Sequence, residues 1–354
     1  RLRQHRQRRA DNYGIARVEV LDGNVGYLDL RGFYSGPPAE AAVDAAMHLL
    51  QHTDALIVDL RRNGGGDPDL VRYVTSYFFD EPTHLNSLHW RDGDREVVNE
   101  FWTLEETASP QRPDLPLFVL TSDYTFSAGE EFANNLKALG RATLIGETTG
   151  GGANPGGMMP AGERFGVFVP TGRAVNPVTG TNWEGVGVEP DVAVPAEEAL
   201  DVALERALPA AEAYRARHAE RAEAAVTELR AQLDRARAQL AAGDAAAGEA
   251  TVAAALHSAV EAGVLDEETV NGLGYAYLAH GDAPTAIAVF RFNVERYPAS
   301  WNVYDSLGEA LAEAGREAEA VRHYERARAM APESQHARID EVLGRLRAEA
   351  GAGG

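Results

Sequence analysis

Three short apolar runs, each ending in a turn and two of them in glycine loops, restrict this chain more than any other feature. Leu117-Phe-Val-Leu-Thr121 turns through Ser122–Phe126 into Ser127-Ala-Gly-Glu130 and a helix. Ala55-Leu-Ile-Val-Asp59 leads through Leu60-Arg-Arg62 into Asn63-Gly-Gly-Gly66, and Arg141–Gly146 leads into Gly150-Gly-Gly-Ala-Asn-Pro-Gly-Gly157. Apolar runs of this length bounded by turn residues read as strands, the second of them buried. Loops without side chains let backbone N–H groups approach a substrate closely. Neither glycine loop ends in Gly-Lys-Ser/Thr, so neither is a phosphate loop.

Ser127 sits where strand gives way to helix, and two readings fit it. A helix amino end offers unpaired N–H groups and a partial positive charge, which would stabilise an oxyanion forming beside a serine hydroxyl. Ser-x-x-Glu is also a capping box, with Ser127 as N-cap and Glu130 at the third helical position.

Taken in order, Asp59-Leu-Arg-Arg-Asn-Gly-Gly-Gly66, Thr121-Ser-Asp-Tyr-Thr-Phe-Ser-Ala-Gly-Glu130, Gly146-Glu-Thr-Thr-Gly150 and Glu184-Gly-Val-Gly-Val-Glu-Pro-Asp191 resemble the carboxyl-terminal processing (tail-specific) serine peptidase family over roughly residues 24–192. The resemblance is nearest to the branch of interphotoreceptor retinoid-binding protein and its bacterial relatives, which lacks an inserted PDZ module. It implies an α/β, crotonase-like core of ββα units, a serine nucleophile at Ser127, and oxyanion donors at the N–H groups of Ala128 and Gly65.

The chain departs from that family at the base. The position of the processing peptidases' lysine falls on Gly152. Lys137, the single lysine, lies ten residues along the Ser127 helix, about 15 Å away. In distant relatives of tricorn-protease type a histidine serves the serine, supported by a glutamate, and Glu184 falls at that glutamate's place. His84 and His89 are the candidate histidines, whose neutral pKa suits proton transfer. Their odd separation on one strand predicts opposite faces, so at most one would point at the site. Asn154 replaces a histidine common among relatives. Substrate contacts are expected from Arg61, which with Arg62 suits a carboxylate, and from the loop residues Asn63 and Gly64.

Other features carry less. His48 and His52 have a zinc-compatible spacing, but Leu49 stands where His-Glu-x-x-His needs its acid, and neither metal nor cofactor is expected. Asp67 and Asp69 read as caps of the next helix. Trp90, Phe101 and Trp102 flank an acidic stretch as cleft-lining or packing residues. A formal charge of −21 opposes nucleic-acid binding, and no run of eighteen apolar residues marks a membrane span. Cysteine is absent, which excludes disulfides and thiol catalysis. The first residue is Arg1, with no leader pattern; relatives suggest a periplasmic or secreted protein whose leader is missing from this chain.

Beyond Pro195 the composition turns rich in Ala, Glu and Arg, with apolar residues at helical spacing. Leu273-Gly274, Gly281, Ala286, Phe290 and Pro298 recur 34 residues later as Leu307-Gly308, Gly315, Ala320, Tyr324 and Pro332. This period resembles the tetratricopeptide repeat and implies a small all-α solenoid able to recruit a protein partner. The expected division is a basic amino-terminal helix or linker (1–23), a peptidase core (24–204), a helical connector (205–262) and repeats (263–354). The leading function is hydrolysis of peptides or unfolded protein tails through Ser127, and the alternative is an inactive module binding an apolar molecule or peptide.

Overall fold

The computed structural model describes residues 8–352, so most of the basic run Arg1–Arg9 lies outside the described residues. The chain divides into two compact units that meet between Ala216 and Arg217.

The first unit is built on a six-stranded sheet. Its strands are β1 (Ile15–Leu21), β2 (Val25–Leu30), β3 (Ala55–Asp59), β6 (Leu117–Thr121), β7 (Thr143–Gly146) and β11 (Val192–Ala193), in that spatial order. β1 runs antiparallel to β2, and all the others are parallel. Residues 15–23, read from the sequence as linker, therefore supply the edge strand and its turn.

Alternation along the strands explains their unbroken apolar character. Leu28, Leu56, Val58, Val119 and Leu144 face three helices, α1 (Pro37–Leu50), α2 (Pro68–Ser76) and α3 (Ala128–Ala138). Tyr27, Ile57, Phe118, Leu120 and Ile145 face the first half of α4 (Ala199–Ala241). That helix presents Ala199, Ala203, Ala207 and Ala211 in one stripe. Four-residue spacing keeps the alanines on one helix face, and their small size lets the backbone lie close to the sheet. A parallel sheet covered on both sides must be apolar at every position, so its strands lack the alternating pattern of half-exposed ones.

Two smaller sheets flank this layer. β4 (His84–Asp92) lies between β5 (Arg95–Trp102) and β10 (Gly172–Val175), while β8 (Gly156–Ala161) and β9 (Phe165–Pro170) form a hairpin.

The second unit is helical. The second half of α4, from Leu229, packs on α5 (Ala245–Glu261), and two helix pairs follow: α6 (Glu267–Ala279) with α7 (Ala283–Arg296), then α8 (Trp301–Glu313) with α9 (Glu317–Met330), closed by α10 (Glu333–Ala352). Glu267 to Trp301 and Ala283 to Glu317 are both steps of 34 residues. The repeat has a steric cause: a Cβ on Gly274 would stand 2.5 Å from the Phe290 ring, and one on Gly308 would stand 2.8 Å from the Tyr324 ring. No helix of the described residues is long and apolar enough to cross a membrane.

Candidate active site

The loops after β3, β6 and β7 leave the carboxyl edge of three neighbouring parallel strands, where open α/β sheets gather ligand-binding residues. They are laced together through backbone acceptors. Ser122 Oγ donates to Arg61 O at 2.7 Å, Thr125 Oγ1 donates to Leu60 O at 2.8 Å, and Phe126 N–H donates to Asn63 O at 3.0 Å.

This lacing holds Ser127 at φ 54°, ψ −118°, a backbone conformation that side chains seldom adopt and that persists only where surroundings impose it. An ordinary N-cap is extended. Here the Glu130 side chain completes its arm of the capping box, accepting the Ser127 N–H at 2.8 Å, while the Ser127 hydroxyl makes no cap hydrogen bond of regular geometry. The hydroxyl still faces the Glu130 N–H as the other arm of the capping box, and Ser127 as a residue is half-buried.

Glu130 is the residue that sequence reasoning undervalued. Its carboxylate is fully buried and takes four donors: Ser127 N–H (2.8 Å) and Gly152 N–H (2.8 Å) on Oε2, Thr149 Oγ1 (2.5 Å) and Gly151 N–H (2.6 Å) on Oε1. A buried charge is tolerated when its lone pairs are filled in this way, and the result clamps the glycine loop against the serine. The only sequence signal was the Ser-x-x-Glu spacing, which an ordinary cap also produces.

Gly65 touches the serine directly, for a Cβ there would stand 2.7 Å from Ser127 Cβ and 3.0 Å from Ala128 N. The residue adopts φ 103°, which glycine alone tolerates easily. Ala128 N–H opens α3 and is among the donors that no helix satisfies internally. Gly65 N–H is engaged by Asn63 Oδ1 at 2.8 Å, so of the two oxyanion donors expected only Ala128 is presented. Asn63 itself is buried and donates to Leu30 O, which makes it a brace of the loop. Gly64 lies by the Tyr124 hydroxyl, and both line a cavity of about 580 Å³ shared with Arg31, Tyr34 and Gly65.

Arg61 is committed elsewhere. Its guanidinium grips both oxygens of Asp59 and donates to Ala196 O at 2.7 Å, while Tyr27 donates to Asp59 at 2.6 Å. Burial would raise the Asp59 pKa, but the hydrogen bonds from Arg61 and Tyr27 outweigh it and hold that carboxyl below its usual value. The exposed guanidinium beside the loop is Arg62.

The proposed bases are not brought to the serine. A bulge in β4 between His84 and Asn86 shifts the register, pairing His84 with Trp102 and His89 with Val98. The extra residue restores parity, so the two histidines share one face and do not lie on opposite ones as their spacing predicts. Asn86 and Leu88 occupy the other face, packed toward Glu131 of α3 and the core. His84 bonds Ser87 Oγ at 2.9 Å and stacks on Trp102, and His89 bonds Glu96 at 3.0 Å. Glu184 Oε2 accepts the N–H groups of Ala153 and Asn154, both at 2.8 Å, and so positions the glycine loop without touching a histidine. Lys137 is bound to Glu189 O and Asp191. Among the described residues the Ser127 hydroxyl has no hydrogen-bonded base.

The glycine at 152 now has a physical reason. The Phe126 ring lies on the loop so closely that a Cβ at Gly152 would stand 2.0 Å from it, and one at Gly150 would stand 2.7 Å away. No side chain fits at 152 while that ring is in place.

Glu131, one turn from Ser127, is fully buried. Burial pushes its pKa up to about 8; the Asn86 side chain beside it opposes the shift, and the charges of Asp67 and Asp69 add to it.

Comparison with known proteins agrees with the motifs. Residues 24–194 match Peptidase family S41. The chain is 28% identical over 180 residues to the carboxy-terminal-processing protease of Bartonella bacilliformis, covering 49% of this chain and 39% of that protein. It is 34% identical over 130 residues to the carboxyl-terminal-processing protease of Synechocystis sp., covering 36% and 28%. Among solved structures the photosystem II D1 C-terminal processing protease aligns at 26% identity with a TM-score of 0.41, covering 52% of this chain and 47% of that one. The chain thus spans less than half the length of these curated relatives.

Proposed function

We propose that this chain, similar to Peptidase family S41 over residues 24–194, is a serine-type peptidase acting on peptides or unfolded protein tails by acyl transfer through Ser127. The observation that carries the reading is the strained Ser127 backbone, which places the serine at the first N–H of α3 and against Gly65, with no cap hydrogen bond of regular geometry to hold its hydroxyl. Ser127 Oγ attacks the scissile carbonyl carbon, and the oxyanion forms where Ala128 N–H points and the helix dipole is positive. The serine proton passes to the nitrogen of the departing amine as the C–N bond breaks, and water then releases the acyl group as a carboxylic acid and restores the Ser127 hydroxyl. Glu130 and Glu184 act as positioning residues, through the loop N–H groups they hold.

In this reading the core is the crotonase-like assembly of ββα units of residues 24–204. The helices that follow act as tetratricopeptide-like repeats that recruit a protein partner. The reaction is slow, because no base is hydrogen-bonded to Ser127. Its pH profile distinguishes routes: a fall with an apparent pKa near roughly 6–7 marks a histidine recruited on substrate binding, and a steady alkaline rise marks attack without one.

A fluorophosphonate probe tests the reading. Wild type should be labelled at Ser127 and Ser127→Ala should not. Equal labelling, or none, would leave only a binding module for an apolar molecule or peptide.

A further inference from the structure

The β8–β9 hairpin carries an apolar surface that nothing among the described residues covers. Met158 pairs with Phe168, while Met159 pairs with Val167 and Ala161 with Phe165, which sends apolar side chains to both faces. Met158 and Phe165 are 68% and 72% exposed, and Met159, Val167 and Phe168 are close to half exposed or more. Among the described residues each strand pairs only with the other, so both outer edges keep unpaired N–H and C=O groups. A two-stranded ribbon is marginal in water, and contiguous exposed apolar side chains mark interaction surfaces.

Its base belongs to the site. β8 begins two residues beyond Asn154, in the loop whose N–H groups are held by Glu130 and Glu184, and Pro155 O accepts from Thr171 and Gly172 where β9 ends. The hairpin therefore springs from the same loop that Glu130 clamps to the Ser127 N–H. Tyr124 and Phe126, on the loop that leads into Ser127, and Val186, beside the glycine loop, are also exposed.

Area and charge decide the occupant. The five side chains offer on the order of 500 Å², whereas a stable dimer buries about 800 Å² on each partner. The hairpin carries one acid and one base, Glu163 and Arg164, within a chain of formal charge −21, so a second copy is repelled while a neutral or basic strand is not. We infer that β8–β9 is a docking strand for an extended, apolar, neutral-to-basic segment of an unfolded polypeptide, added edge-on as a further strand. The identity of that occupant as substrate rests on the peptidase reading.

The test uses the full chain carrying Ser127→Ala, so that binding is read without turnover. A fluorescent peptide of about twelve residues, alternating Leu and Thr with a terminal Lys, should bind, and adding Phe165→Ser with Phe168→Ser should weaken it about tenfold by anisotropy. In the Ser127 background the same pair should lower kcat/KM for that peptide and leave the fluorophosphonate labelling rate unchanged. Absence of labelling in wild type would sink the peptidase reading, while the anisotropy still reports on the hairpin. An unchanged Kd overturns the inference, as does a wild-type dimer that the double variant turns into a monomer. Met159→Ser with Val167→Ser repeats the experiment on other side chains, and if neither pair folds, the side chains were not unpartnered and the inference fails.

Discussion

Replacing Glu130 by Gln removes one charge and one acceptor while keeping shape. The amide has a preferred orientation. With its oxygen toward Ser127 and Gly152, both of those N–H groups keep an acceptor, and its NH₂ can donate to Thr149 Oγ1, which then turns its own proton away. Gly151 N–H, now 2.6 Å from a nitrogen, is orphaned. The opposite orientation orphans two N–H groups, at Ser127 and Gly152, and costs more. One buried donor left unsatisfied costs about 1–3 kcal/mol, and two remaining bonds lose charge assistance, so the loss is about 2–4 kcal/mol. Urea unfolding of the first unit should show that loss, and fluorophosphonate labelling should slow because the loop no longer holds the Ser127 backbone. A change below about 0.5 kcal/mol with unaltered labelling would refute the claim that this carboxylate braces the site.

Three further outcomes are expected. Gly152→Lys should destabilise by about 1–3 kcal/mol through collision with Phe126, and Phe126→Ala combined with Gly152→Lys should recover most of that loss in thermal denaturation. Glu131 is neutral in the folded state up to pH about 8 but ionises from its ordinary value of 4.5 when unfolded, so its contribution is complete below 4.5 and is lost as pH rises toward 8. Glu131→Gln should flatten that part of the stability profile between pH 5 and 8, a slope of at most roughly 1.4 kcal/mol per pH unit. Gly274→Val should lower the thermal midpoint of the helical unit, by an overpacking cost of about 1–3 kcal/mol, without changing the labelling rate at Ser127.

Much of the architecture was legible because it depends on local patterns. Ala55–Asp59 and Leu117–Thr121 are unbroken apolar runs because a sheet buried on both faces demands that at every position, and such a run needs no partner to be recognised. The 34-residue step is equally local in origin, since Gly274 against Phe290 and Gly308 against Tyr324 repeat one steric requirement. The strand-to-helix placement of Ser127 followed from the same kind of pattern, and the resemblance to the processing peptidases rested on motif order.

What sequence could not decide depends on contacts between distant residues. Glu130 looks like a cap until the loop at Thr149–Gly152 folds over it, and Arg61 looks available until Asp59 and Ala196 engage all three of its guanidinium nitrogens. The two histidines were assigned opposite faces by counting. One bulged residue in β4, set by pairing with β5, reversed that parity. Gly152 is missing a side chain because a ring 26 positions earlier fills its space. In each case the deciding term is steric or electrostatic contact across the fold, and a linear pattern carries no record of it.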